Sequence, residues 1–112
     1  MQETFTEISP EQAWQMLQDQ QAVLLDIRDL PSFNLKHPVG AFHLTNETFN
    51  TFSQQYDFEF PLIVSCYHGK SSRNVAQYLV EQGYDQVYSL TGGFEAWLKA
   101  QLPIESHSSE SN

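Results

Sequence analysis

A single three-layer α/β domain, with a five-stranded, mainly parallel sheet and helices on both faces, is the fold class that three observations predict. Short apolar runs recur along the 112 residues. Each is followed by a stretch whose apolar residues fall at helical spacing. No internal repeat or linker divides the chain. Strands alternating with helices require crossover connections, and crossovers lay helices over a parallel sheet. Residues 1–105 are expected to form this domain, and the Ser-rich residues 106–112 a mobile polar tail.

Phe5 to Ile8 opens the sheet as a short strand. Ser9-Pro10-Glu11-Gln12 then carries a helix start, with Ser9 as N-cap, Pro10 in the first helical position and Gln12 closing a capping box. Ala13, Trp14 and Leu17 share one face of that helix, which fades near Asp19. The apolar run Ala22-Val23-Leu24-Leu25 leads into Asp26-Ile27-Arg28-Asp29, the pattern of a buried parallel strand with a polar C-terminal edge. Pro31 to His37 predicts a short helical turn, and Ala41 to Leu44 a third strand. Thr45 or Asn46 caps a helix that puts Phe49, Phe52 and Tyr56 on one face. Pro61 to Ser65 is the fourth strand and ends at Cys66. Ser71 or Ser72 starts a helix with Val75, Ala76, Leu79 and Val80 at helical spacing, stopped by Gly83. Val87 to Leu90 is the fifth strand, and Gly92-Gly93 turns the chain into a final helix through Phe94, Trp97 and Leu98.

Composition narrows the function. Hydrophobic residues make up 40% and aromatic residues 13%, enough for one core and too many for global disorder. A net charge of −9 excludes the basic stripe of a nucleic-acid binder and affinity for an anionic membrane surface. An anionic substrate would need a local attraction. The aliphatic run Ala22 to Leu25 is far short of the roughly 18 residues a membrane span requires. Met1 to Thr6 contains Glu3, lacks Lys and Arg, and leads into no apolar stretch, unlike a signal peptide. One cysteine excludes an internal disulfide and any multi-cysteine zinc site. The four histidines lack H-x-x-x-H spacing, so neither a metal nor another cofactor is expected. A lone thiol suits a reducing compartment, the cytoplasm, and a monomer is the default.

Chemistry concentrates in Ile63-Val64-Ser65-Cys66-Tyr67-His68-Gly69-Lys70-Ser71-Ser72-Arg73, a buried strand, a short Gly/Ser loop and a helix start. Cys66 thus sits at the C-terminal edge of a parallel strand, where open α/β sheets place ligands. Loop amides and the helix N-terminus face one point and favour an anion. With Lys70 and Arg73 nearby, the thiol is expected to ionise more readily than usual. The competing reading, a buried and inert thiol, has no use for such a loop.

Three stretches resemble the signature of the rhodanese family of sulfurtransferases. Cys66-Tyr67-His68-Gly69-Lys70-Ser71 is similar to its six-residue active-site loop. Asp26-Ile27-Arg28-Asp29 with His37-Pro38-Val39-Gly40-Ala41-Phe42-His43-Leu44 resembles its strand-end DxR and H-x-x-G-A-x-H-[LI] patterns. Gly92-Gly93-Phe94-Glu95-Ala96-Trp97 resembles its G-G-[FW]-x-A-W. Together they span Ala22 to Trp97 in the family's order, and their wording is nearest its single-domain thiosulfate sulfurtransferases. The resemblance implies that Cys66 takes the outer sulfur of thiosulfate, releases sulfite, and passes the sulfur from a persulfide to cyanide or to a thiol or dithiol such as thioredoxin. It implies that Tyr67, His68, Gly69, Lys70 and Ser71 bind the substrate and the persulfide, with the Ser71 hydroxyl donating to its sulfur. Lys70 departs from a neutral side chain at that place and should tighten anion binding without altering the chemistry.

Two alternatives remain open at this level. Cysteine phosphatases and arsenate reductases use a C-x5-R loop one residue longer, whose Arg grips a tetrahedral oxyanion. Here the seventh residue is Ser72 and Arg73 comes one later. A non-catalytic module of the same family would commonly lack the cysteine. His68 reads as loop structure rather than a base, His37 and His43 as structural, and Asp26 and Arg28 as supports for the strand end.

Overall fold

The computed structural model describes residues 4–106. Strand β1 (Thr6–Ile8) leads into helix α1 (Pro10–Gln18), followed by β2 (Val23–Asp26) and α2 (Leu30–Leu35). Two short strands, β3 (His37–Pro38) and β4 (Phe42–His43), precede α3 (Phe49–Gln55). Then come β5 (Leu62–Ser65), α4 (Ser71–Glu81), β6 (Val87–Leu90), α5 (Gly93–Lys99) and β7 (Ile104–Glu105). Five strands form one sheet in the order β1-β6-β5-β2-β4, and every pairing in it is parallel.

Alternation along the central strands builds two cores. Val23, Leu25, Leu62 and Val64 face α3 and α4 with Phe52, Ala76 and Leu79. Leu24 and Ile63, one residue out of phase, face α1 and α5 with Ala13, Phe94 and Trp97. Burial on both faces explains why β2 and β5 read as unbroken apolar runs.

Local chemistry starts the helices much as the residues suggest. The Ser9 Oγ accepts from the Gln12 N–H at 3.1 Å, and the Gln12 side chain accepts from the Ser9 N–H at 2.9 Å. Helix α3 differs: its N-cap is Thr48 without a side-chain capping bond, and Thr45, expected with Asn46 as the cap, pairs reciprocally with Thr48 at 2.8 and 3.1 Å in the turn before it.

Two expectations need correction. The helical turn ends at Leu35, and His37 lies in a strand, because β3 pairs antiparallel with β7 in a second, two-stranded sheet. The third strand is only Phe42–His43. Ser106, assigned to the tail, donates its hydroxyl to the Leu35 carbonyl at 2.9 Å. The rest of the expected tail, residues 107–112, lies outside the described residues. No helix among the described residues is long and apolar enough to cross a membrane.

Candidate functional site

Cys66 directly follows β5, and its side chain sits at the C-terminal edge of the sheet, 6% exposed. Residues 66–70 curl round the sulfur before α4 begins. The Gly69 N–H donates to Sγ at 3.1 Å and the Ser72 N–H at 3.2 Å. The His68 N–H and the Ser72 hydroxyl bond it as well. Ser72 is fully buried, with Oγ 2.8 Å from the Ser89 Oγ. Either hydroxyl can be the donor in that pair.

Burial is the largest single influence on the thiol, and it opposes ionisation. The Ser72 hydroxyl and the N–H groups of Ser72, Gly69 and His68 act the other way, and together they hold the pKa below its ordinary value. The cations expected to do this do not take part. Lys70 is exposed, and Arg73 is half exposed with Nη1 3.7 Å from Oε2 of Glu7.

Helix α5 explains why the loop amides turn inward. The Phe94 N–H donates to the Cys66 carbonyl at 2.8 Å, and the Glu95 N–H to the Tyr67 carbonyl at 3.0 Å. In a trans peptide the carbonyl and the next N–H point opposite ways. Anchoring the Tyr67 carbonyl on α5 therefore aims the His68 N–H away from α5, at Sγ. Only glycine permits this docking. A Cβ on Gly93 (φ +61°) would stand 2.5 Å from the Cys66 carbonyl oxygen and 2.7 Å from the Gly69 nitrogen.

The opposite wall comes from the strand end after β2. Ile27, Arg28, Asp29 and Ser32 line a cavity of about 460 Å³ with Cys66, Tyr67 and Ser71. Arg28 is nearly buried: its Nη2 is 2.8 Å from Oδ2 of the fully buried Asp26, its Nε meets both carboxylate oxygens, and Nη2 also donates to the Lys36 carbonyl at 2.6 Å. Its guanidinium lies 4.1 Å from the centre of the Phe94 ring. Asp29 caps α2, and the Ser32 hydroxyl and N–H hold its carboxyl below the usual range.

The histidines are held by neighbours. His37 Nδ1 meets the Phe33 carbonyl at 2.6 Å, and His43 Nε2 the Arg28 carbonyl at 2.6 Å. His68 is exposed, with Nδ1 3.0 Å from Glu95 Oε1; that bond, with the nearby charge of Lys99, lowers the Glu95 carboxyl. No group of three or more His, Cys, Asp or Glu among the described residues is placed to hold a metal.

Of the loop residues singled out from sequence, His68 and Gly69 offer N–H groups to Sγ, while Tyr67 (46% exposed) and Ser71 line the cavity. Beside them Ser72, which the sequence reading did not place in the binding loop, adds an N–H and a hydroxyl that favour the Cys66 thiolate. The signal was available: Ser72, Ala76, Leu79 and Val80 fall on one helical stripe, so Ser72 had to face inward.

Comparison with known proteins places this geometry. Residues 9–100 match the family of rhodanese-like domains. A thiosulfate sulfurtransferase GlpE from Glaesserella parasuis is 61% identical over 94% of this chain and 97% of its own length. Its counterpart in Haemophilus influenzae is 58% identical over 92% of this chain and 97% of its own length. Among solved structures, a rhodanese-like domain from Anabaena superimposes with a TM-score of 0.79 at 22% identity, covering 100% of this chain and 84% of that one. A polysulfide-sulfur transferase homodimer from Wolinella succinogenes gives 0.75 at 24% identity, covering 96% and 83%. At such identities these structures speak for the fold.

Proposed function

Because this chain belongs to the family of rhodanese-like domains, we propose that it is a thiosulfate sulfurtransferase with Cys66 as nucleophile. One observation carries the assignment of Cys66: the Gly69 and Ser72 N–H groups converge on its sulfur at 3.1 and 3.2 Å. Donors in this arrangement favour a thiolate and then a persulfide anion at the same place.

The Cys66 thiolate attacks the outer sulfur of thiosulfate, and the S–S bond of thiosulfate breaks. Sulfite leaves with the electron pair, and Cys66–S–S⁻ remains. Splitting the transfer through this covalent intermediate replaces one hard step by two easier ones. Cyanide, or a thiol or dithiol such as thioredoxin, then removes the outer sulfur. The reaction requires no metal or cofactor, and a reducing cytoplasm would keep Cys66 free.

Tyr67, His68, Gly69, Lys70 and Ser71 are the proposed binding loop, to which Ser72 is added for its two bonds to Sγ. The phosphatase reading has less support. Ser72 is turned inward onto Ser89 and Arg73 pairs with Glu7, so the loop's own arginine does not take the place that grips an oxyanion. The non-catalytic reading has no use for donors gathered on a thiol.

Intact-mass measurement after incubation with thiosulfate tests the assignment. The mass should rise by one sulfur, cyanide should remove it as thiocyanate, and Cys66→Ser should not take it up. Thiocyanate formation by folded Cys66→Ser at the wild-type rate would sink the mechanism.

A further inference from the structure

We propose that the groove between α3 and α4 is a binding subsite for the sulfur acceptor, and that it takes a small thiol on an uncharged, mainly aliphatic arm. The inference deepens the sulfurtransferase reading of Cys66 and rests on it.

The groove encloses about 460 Å³, a volume suited to a small organic molecule. It adjoins the Cys66 cavity, because Ile27 lines both. Helix α4 joins them too. Ser71 lines the Cys66 cavity, and Asn74, Val75 and Tyr78, at i+3, i+4 and i+7 on the same face, line the groove. A molecule seated along this stripe would point one end toward the Cys66 cavity.

The lining selects the chemistry. Leu44, Phe49, Val75 and Tyr78 supply apolar surface, with the Phe49 and Tyr78 rings 6.2 Å apart in an edge-on pair. Tyr78 remains 48% exposed, a large aromatic face open to solvent. Thr45, Asn46 and Asn74 add uncharged hydrogen-bonding groups. Among the described residues lining the groove, none is charged. The chain as a whole carries −9, and Asp29 lines the adjoining cavity. A charged arm would lose its hydration there and gain no partner, whereas methylenes with a hydroxyl or amide would lose little. Thiosulfate, a compact dianion, has no atoms to place in it.

The acceptor meets the sulfur after sulfite has gone. Its thiol gives its proton to the outer sulfur of Cys66–S–S⁻ as its own sulfur attacks there, and a new S–S bond forms. The Sγ–S bond breaks, its electron pair returns to Sγ as the resting thiolate, and the acceptor leaves as R–S–SH. Charge and electrons balance without an outside oxidant or reductant.

The test compares 2-mercaptoethanol, 6-mercaptohexanol and 6-mercaptohexanoate as acceptors from preformed persulfide. The KM for 6-mercaptohexanol should lie at least about tenfold below that for 2-mercaptoethanol, the gain expected from two or so buried methylenes. The carboxylate should lose most of that advantage. Asn74→Trp, which fills the groove, should raise the KM for 6-mercaptohexanol about tenfold and leave cyanide within twofold. If Asn74→Trp also slows cyanide, Tyr78→Ser decides, because it removes an apolar wall without adding bulk. Equal KM values for the three thiols, or variants that treat 6-mercaptohexanol like wild type, would overturn the inference. So would a Tyr78→Ser variant impaired with thioredoxin but normal with 6-mercaptohexanol, since the groove would then serve a protein. Binding of 6-(methylthio)hexanol, which cannot react, should shift the methyl NMR signals of Ile27, Val75 and Leu79 whether or not a persulfide forms. Failure of the persulfide assay and failure of the groove are thereby separated.

Discussion

The Ser72 N–H donates to the sulfur of Cys66 at 3.2 Å, and the Ser72 hydroxyl, 2.8 Å from that of Ser89, also favours the thiolate. The chain Ser89 to Ser72 to Cys66 is buried, so each bond acts in a medium of lower polarity than water. Ser72→Ala should raise the Cys66 midpoint toward that of an ordinary thiol. Because the wild-type pKa is lowered, thiolate is present above that lowered value and lost as pH falls through it. The variant's rate of persulfide formation should follow the same curve displaced to higher pH, with about a tenfold loss per unit of displacement at pH values below both midpoints. Ultraviolet titration of the thiolate measures it, and an unmoved midpoint would remove Ser72 from the site.

Gly93→Ala should damage loop and fold together. The new methyl would meet the Cys66 carbonyl oxygen at 2.5 Å in a backbone conformation that disfavours any side chain. The cost should be at least about 2 kcal/mol in urea unfolding. Any folded fraction should form persulfide slowly, since the loop must leave α5 to make room. Wild-type stability in the variant would mean that the loop is softer than these contacts imply.

Asp26→Asn should be among the most destabilising conservative changes in the chain. It leaves the Arg28 guanidinium, 8% exposed, without its carboxylate. Breaking a buried pair on one side costs about 3–5 kcal/mol. Denaturant titration measures the loss, and a change below about 1 kcal/mol would mean that water reaches the pair.

Lys70→Ala separates long-range attraction from activation of the thiol. Sγ is held by N–H groups and a hydroxyl, and Lys70 is exposed, so the thiolate midpoint should not move. The KM for thiosulfate should rise a few-fold at low ionic strength, with the difference shrinking as salt screens the charge. A midpoint that rises in Lys70→Ala would restore the lysine to a direct role.

Elements governed by near neighbours were legible from the residues alone. The Ser9–Gln12 capping box, the inward stripe of α4 and the apolar runs of β2 and β5 each depend on side chains a few positions apart. They determined a parallel α/β sheet and put Cys66 at the strand edge beside a Gly/Ser loop. The pairing of β3 with β7 was not legible, because two-residue strands have no period and His37 reaches Glu105 across 68 positions. Choosing Ser72 over Ser71 as the partner of Sγ depended on which face of α4 packs against β6, where Ser89 waits 17 residues on. The lowered thiol pKa was expected from loop amides, the helix N-terminus and nearby cations together. Only the packed structure decided which N–H groups reach Sγ, since an N–H acts only where α5 has turned it. Composition and spacing set which groups were present; tertiary packing set their directions, and hydrogen bonds depend on direction.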